Sequence, residues 1–555
     1  MDHRRTVRSF YFMLCLPLAI SIAIPSLGND FEMQATRQTP VSDFPGQFHR
    51  IPETVLWQPT STALILCDVW DSHHCVNAVR RVQEIGPRID ALAKIMRNHG
   101  ATIIHAPSDC MAFYASHPAR TRAKSVPNAT NLPTDISTWC DRISSEEAFP
   151  YPIDQSDGGE DDDPVEHEQW AKTLANEGRN PKAPWKQQLS VIQIDSEHDF
   201  VSDSGNEIWN ILEAKGIQRV LLCGVHTNMC VLGRPFGLRQ LASHGKNVSL
   251  IRDLTDTMYN PLSWPFVNHF SGTDLIIDHV ERHVCPTVTS DQVFVSLNSK
   301  VPSQQVPHRF SKDRRPHLAM LIAEDEYETA NTLPQFAAMH LRTQLKVSAI
   351  HGDSRNRESI PGLQAIEDAD ALLVSVRRRP LGARDLEKIQ AFVKAGRPVI
   401  GIRTASHAFS LRDGKPLDGF VQWPEFDAYV FGGNYTNHYG NNFFPTVSES
   451  GNSATLFSSK GSLYKVSPLR PGTRIMLYGK IEGQPEEPIA WSFVRADGGA
   501  SFYTSLGHSS DFAEPVFQEL LGNAVLNACG LQSVATDRMA AQQERYSVGK
   551  GRQRK

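Results

Sequence analysis

The sequence predicts an α/β protein made of two doubly wound parallel sheets (Rossmann-like) in tandem. Three observations carry this. Short, unbroken apolar runs such as Ala63-Leu-Ile-Leu-Cys67 and Val220-Leu-Leu-Cys223 have the length and composition of strands buried on both faces. Helical stretches lie between them, with apolar residues three and four apart at Val79, Val82, Ile85, Ile89 and Leu92. The alternation then starts afresh after residue 315, in a chain whose 555 residues exceed one ordinary domain.

Residues 1–28 read as a secretory signal. Arg4, Arg5 and Arg8 precede an apolar run from Phe10 to Leu27, and Ser26 and Gly28 suit cleavage after Gly28. An uncleaved anchor is the alternative, against which Pro17 and Pro25 count. Export implies a secreted or periplasmic protein in an oxidising compartment. There Cys75, Cys110, Cys140 and Cys285 are candidates for pairing, while Cys67 and Cys223 read as buried thiols.

The first half is expected over residues 29–295. Residues 29 to about 55 read as polar, irregular chain. Strands are expected at 63–67, 101–105, 190–194, 220–223, 247–251 and 273–277, and helices at 78–99, 207–215 and 231–244. Residues 110–188 read as an insertion poised to act as a lid. Its acidic stretch Tyr151-Pro-Ile-Asp-Gln-Ser-Asp-Gly-Gly-Glu-Asp-Asp-Asp163 lacks the spacing of an EF-hand loop and reads as a solvated turn. A linker at 296–315 leads to a second half at 316–530. Strands are expected there at 318–322, 345–350, 371–376 and 398–402, with a helix at 383–394. Residues 531–555 are polar and basic, and are expected to be disordered.

The net charge of -5 is small, and no basic run carries interleaved aromatics, which argues against a nucleic-acid partner. Beyond the N-terminal run no stretch is apolar enough for a membrane. Ligands of doubly wound sheets sit beyond the carboxyl ends of the strands, where Asp68, His105 and Cys230 all fall. Cys230 lies where a strand hands over to a helix, and unpaired N–H groups there would stabilise a thiolate. Asp68 is placed to take its proton.

The turn Gly224-Val-His-Thr-Asn-Met-Cys230-Val resembles the G-V-x-T-x-x-C-V turn of the isochorismatase-like cysteine hydrolases, a family that includes nicotinamidases and carbamoylsarcosine amidohydrolases. Over residues 62–295 the resemblance implies a six-stranded parallel sheet with helices on both faces. It also implies Asp68 and Cys230 as catalytic residues and a cis peptide at Val225-His226. The oxyanion hole is expected at the backbone of Met229 and Cys230. The family lysine after the third strand is absent from Ile194-Asp-Ser-Glu-His-Asp199, so His198 or Arg234 is the expected substitute. Some nicotinamidases hold a metal beside the thiol. Here His73, His74, His105 and His226 match no metal-ligand spacing, so no cofactor is expected and they read as site-lining or surface groups.

The second half resembles the trehalose-utilisation (ThuA-like) family, which has the class I glutamine-amidotransferase fold. The stretches carrying the resemblance are Gly396-Arg-Pro-Val-Ile-Gly-Ile-Arg-Thr-Ala-Ser-His407, Trp423-Pro-Glu-Phe-Asp427, Gly432-Gly-Asn-Tyr-Thr-Asn-His438, Ala490-Trp491 and Tyr503-Thr-Ser-Leu-Gly-His508. The amidotransferase nucleophile turn falls near Arg403-Thr-Ala-Ser406 and holds no cysteine. Thr404, Ser406, His407, His438 and His508 are expected to line a polyol or sugar pocket. The function expected is therefore an exported cysteine hydrolase acting on an amide-like C–N bond of a small molecule, joined to a carbohydrate-related half. A binding protein on two degenerate enzyme folds is the alternative reading, and metal-assisted hydrolysis a third.

Overall fold

In this computed structural model residues 30–42, 44–299 and 312–553 are described, and the chain is mixed α/β. The signal segment and most of the expected linker lie outside the described residues. Among those that are described, no helix is long and apolar enough to cross a membrane.

An eight-stranded sheet organises the first half. Its strands are β1 (Phe31–Pro40), β2 (Phe48–Trp57), β3 (Thr62–Cys67), β4 (Thr102–Ala106), β5 (Phe200–Val201), β6 (Arg219–Val225), β7 (Asn247–Asp256) and β8 (Thr287–Val288), in the order β2-β1-β8-β7-β6-β3-β4-β5. β3 to β8 pair in parallel, and β1 closes the edge antiparallel to both β8 and β2. Alternation along β3 explains its unbroken hydrophobicity. Ala63, Ile65 and Cys67 enter one core, and Leu64 and Leu66 enter the core on the other face.

Three expectations fail in this half. Residues 29–55 are not irregular: β1 and β2 form a hairpin in which Phe31, Met33 and Ala35 are buried at alternate positions. Residues 190–194 are a turn. Ile192 bonds back to Leu189, and the third strand along the chain's βα series is the short β5 instead. Residues 273–277 belong to the helix His269–His283, which buries Ile276, Ile277 and Val280 on one face and is capped by Asn268.

The second half centres on a nine-stranded sheet. Five strands are parallel, in the order Lys346–His351, His317–Ala323, Ala371–Val376, Val399–Ile402 and Ala500–Thr504. Four antiparallel strands extend it: Glu487–Val494, Thr473–Lys480, Thr446–Glu449 and Thr455–Ser458. Both large sheets contain parallel strands and neither is wholly parallel. The expected helix 383–394 is present as Ala383–Lys394, with Gly396 beyond it in a left-handed conformation.

The C-terminal residues also depart from expectation. Thr536–Gln553 is a helix, with Met539 buried against Gly522 and Tyr546 beside Trp264 of the first half. The halves also meet through Arg315, which reaches Asp274 at 3.0 Å, and through Ser271 Oγ, which donates to the Arg342 carbonyl at 2.7 Å.

Candidate functional site

The first site grows from the adjoining carboxyl ends of β3 and β6. Their register sets Cys67 beside Gly224, and the backbones approach so closely that a Cβ at Gly224 would lie 1.9 Å from the Cys67 carbonyl. Gly224 also has φ +117, which side chains rarely adopt. Asp68 follows β3 with φ 49 and is fully buried. Beyond β6 the Val225–His226 peptide is cis, as the resemblance implied. Thr227 to Val231 then form a π-type turn rather than the first turn of a long helix. Thr227 Oγ1 lies 2.7 Å from Thr255 Oγ1 and 2.9 Å from the Asp256 carbonyl, while the Asn228 amide exchanges 3.0 Å bonds with the Met258 backbone. These contacts explain the polar residues inside a buried turn.

The turn brings the Cys230 thiol close enough to Asp68 for each to act on the other's charge. Asp68 Oδ1 accepts the Ser108 N–H at 2.7 Å, and Oδ2 accepts Arg234 Nε at 2.9 Å. Arg234 therefore supplies the cation beside the carboxylate. Its guanidinium also lies over the Trp139 ring, 5.7 Å from the centroid. Burial pushes Asp68 above the usual carboxylate range, with Arg234 and Ser108 opposing. Burial and then the Asp68 charge push the Cys230 thiol well up, while Arg234 and the His226 backbone pull it down. The expected low-pKa thiolate is thus reversed. The resting thiol is protonated and lies beside a buried carboxylate.

Other expected residues are placed differently. His198 is exposed and bonded to Asp195 at 3.0 Å; among the described residues no ion pair joins it to Asp68 or Cys230. His105 is a fully buried structural residue, held by Gln188 and Asp199, each at 3.0 Å. The Met229 N–H is taken by the His226 carbonyl at 3.0 Å and is not free for an oxyanion. Val225 packs its side chain into the core opposite the thiol's. The His226 ring packs edge-on against His73, 4.8 Å between centroids, and burial drops its pKa to about 3.

The insertion covers this end of the sheet. Cys140 N–H donates to the Gly233 carbonyl at 2.8 Å, and Trp139 lies against Gly233. The acidic loop is an anchor rather than a solvated turn. Asp162 accepts the Val76 and Asn77 N–H groups at 2.8 Å each, capping the helix Val76–Asn98, and Asp161 pairs with Arg81 at 2.8 Å. Cys75, Asp161 and Asp162, and likewise Glu160, Asp162 and His167, lie close enough to share an ion, but neither group includes the strand-end histidines. The described cysteines are all free thiols, so the expected candidates for pairing are not paired.

The second site lies at the equivalent end of the other sheet. Arg403 follows the strand Val399–Ile402 with φ 51 and starts a short 3-10 turn through His407. Its buried guanidinium donates to the Ser462 carbonyl at 3.0 Å and the Ser505 carbonyl at 2.5 Å, and faces the rings of Tyr327 and Tyr464 at 4.3 and 4.6 Å. A cavity of about 330 Å³ opens above it, lined in part by His407, His438 and His508. Thr404 and Ser406 are buried outside the lining; Ser406 Oγ lies 3.1 Å from His407 Nδ1. Tyr327, Arg377, Arg412 and Lys460 also line the cavity and were not singled out from sequence. They come from separate loops, and no local spacing joins them.

No family profile matches the chain, and no curated protein matches it. Among solved structures, a ThuA-like protein from Bacteroides uniformis is 13% identical, with 41% of this chain and 95% of that one covered at a TM-score of 0.29. A cysteine hydrolase from Pseudomonas syringae pv. phaseolicola is 13% identical, covering 47% and 98% at a TM-score of 0.26. An isochorismatase family protein from Burkholderia thailandensis is 13% identical, covering 43% and 97% at a TM-score of 0.24.

Proposed function

We propose that the chain is an exported, isochorismatase-like cysteine hydrolase that cleaves an amide-like C–N bond of a small molecule. One observation carries the reading: Cys230, Asp68 and Arg234 meet at the adjoining ends of β3 and β6. As the thiol attacks the carbonyl carbon, its proton passes to Asp68, which returns it to the departing nitrogen. Water then resolves the acyl-enzyme. Arg234 holds the carboxylate in place and favours its charged form. Export rests on the basic and apolar N-terminal residues. The second half is proposed as a ThuA-like, carbohydrate-related binding region, because the turn after Val399–Ile402 starts with Arg403 and holds no thiol.

The test is a panel of small primary amides and ureido compounds, assayed with wild-type protein and Cys230→Ala. The expected result is turnover with the first, none with the second, and an acyl adduct on Cys230 in quenched samples by mass spectrometry. Equal turnover by both proteins would overturn the reading.

A further inference from the structure

The charge around the second cavity is one-sided. Arg377, Arg412 and Lys460 line it, with Arg403 beneath its floor. Glu326 is the lining carboxylate, already paired with Arg377 at 2.5 Å, and Asp325 lies 3.6 Å from the same guanidinium, so Arg412 and Lys460 carry the uncompensated charge. Arg378, next along the chain, has a buried Nε without a hydrogen-bond partner. Its guanidinium is held below its ordinary value by burial, with Arg412 and Arg377 adding like-charge repulsion. His407 reports the same field from another element. Burial lowers its pKa to about 2, and the charged groups that lower it further are Arg378, Arg377, Arg403 and Arg412. Like charges gathered in one cleft repel one another and destabilise the fold unless an anion enters between them.

The walls suit a ring. Tyr435 stacks on His407 at 4.5 Å and packs against Tyr464 at 4.7 Å, so flat faces and hydroxyls surround the cations. A volume of about 330 Å³ suits a molecule the size of a monosaccharide ester.

We propose that this cavity binds a small oxyanion ester, a phosphate or sulfate carried on a polyhydroxylated ring, with the oxyanion among Arg377, Arg412 and Lys460. The anion follows from the clustered cations alone, whereas the sugar body rests on the carbohydrate reading of this half. Binding here does not depend on Cys230 chemistry.

The experiment is titration calorimetry on the intact protein with glucose, glucose 6-phosphate, glucose 6-sulfate and inorganic phosphate. Wild type is compared with the exposed double variant Arg412→Gln/Lys460→Gln, whose unfolding midpoint is checked first. At least tenfold tighter binding of either ester than of glucose is expected. That preference should fall at least tenfold in the double variant and weaken when ionic strength is raised. Whether phosphate or sulfate binds more tightly identifies the ester. Inorganic phosphate binding as well as the sugar ester supports the anion and removes the sugar body. Glucose binding as tightly as its esters, unchanged in the variant, overturns the anion and leaves the carbohydrate reading standing. Failure of all four probes to bind folded wild type overturns both.

Discussion

The two sheets place a tight turn at the same point, the carboxyl end of a central parallel strand, and put opposite chemistry on it. After β6 the turn holds a thiol, backed by a buried carboxylate and an arginine that steadies it. After Val399–Ile402 the corresponding turn starts with Arg403, whose guanidinium is fixed by two carbonyls and framed by two tyrosine rings. The first arrangement sets a buried thiol beside a buried carboxylate and a cation. The second has a fixed positive charge and a polar cavity. Backbone geometry explains why both places are suited to a site; the side chains decide what each site does.

The comparison breaks most sharply if the carboxylate at the first turn proves dispensable. Asp68→Asn keeps the shape of the side chain and its contact with the Ser108 N–H, but removes the proton acceptor. Turnover is expected to fall by about 10³-fold, roughly 4 kcal/mol of barrier, with substrate binding little changed. Steady-state kinetics on the best amide measures this, and a loss confined to KM would remove Asp68 as the proton carrier.

At the second turn the expected loss is in stability. Arg403→Leu strands the buried Ser462 and Ser505 carbonyls and removes the cation between the tyrosines. A loss on the order of 3 kcal/mol is expected, read from the shift in denaturant midpoint at constant slope. A shift too small to resolve would mean that the arginine is not the keystone of its turn.

Arg234 offers a smaller and sharper contrast, because it acts through Asp68. Arg234→Gln should slow turnover by about 30-fold, near 2 kcal/mol. Alkylation of Cys230 should also require higher pH, since the cation that pulls the thiol pKa down is gone. Arg234→Lys should recover part of both effects. An unmoved alkylation profile in the glutamine variant would show that the cation does not act on the thiol.

How much of this was legible depended on how local each signal was. The turn Gly224-Val-His-Thr-Asn-Met-Cys230 contains its own signal in consecutive residues, and the cis peptide it implied is present. Arg234 was readable because one helical turn separates it from Cys230. His198 misled because it occupies the lysine window in sequence, while residues 190–194 are not a strand and leave its ring in solvent. Residues 273–277 carry the apolar run Leu275-Ile-Ile277, which fits a short strand or a helix, and the Asn268 cap with the longer spacing to Val280 decides for the helix. The second cavity was half legible. Its three histidines lie inside motif stretches, whereas Tyr327, Arg377, Arg412 and Lys460 converge only through tertiary structure. Thiol pKa was misjudged because helix-end position was weighed without burial, which dominates here.

The smallest expected effect separates the two carboxylates, Asp68 and Asp427. Both are buried, but Asp68 has an arginine within 2.9 Å, whereas Asp427 Oδ1 has no hydrogen-bond partner and Oδ2 accepts only the Tyr435 N–H at 2.8 Å. Burial raises Asp427 to about 7. A carboxyl raised on folding binds its proton more tightly in the native state, so its contribution is complete below the ordinary carboxyl range and is lost as pH rises towards about 7. Across that window the loss is at most about 1.4 kcal/mol per pH unit. Asp427→Asn has nothing to ionise, so its stability relative to wild type should rise by at least about 1 kcal/mol between pH 5 and pH 8. Denaturant midpoints at the two pH values measure the difference. The same gain at both would assign the effect to packing beside Gly433 and not to charge, because packing is indifferent to pH and an unpaired buried carboxylate is not.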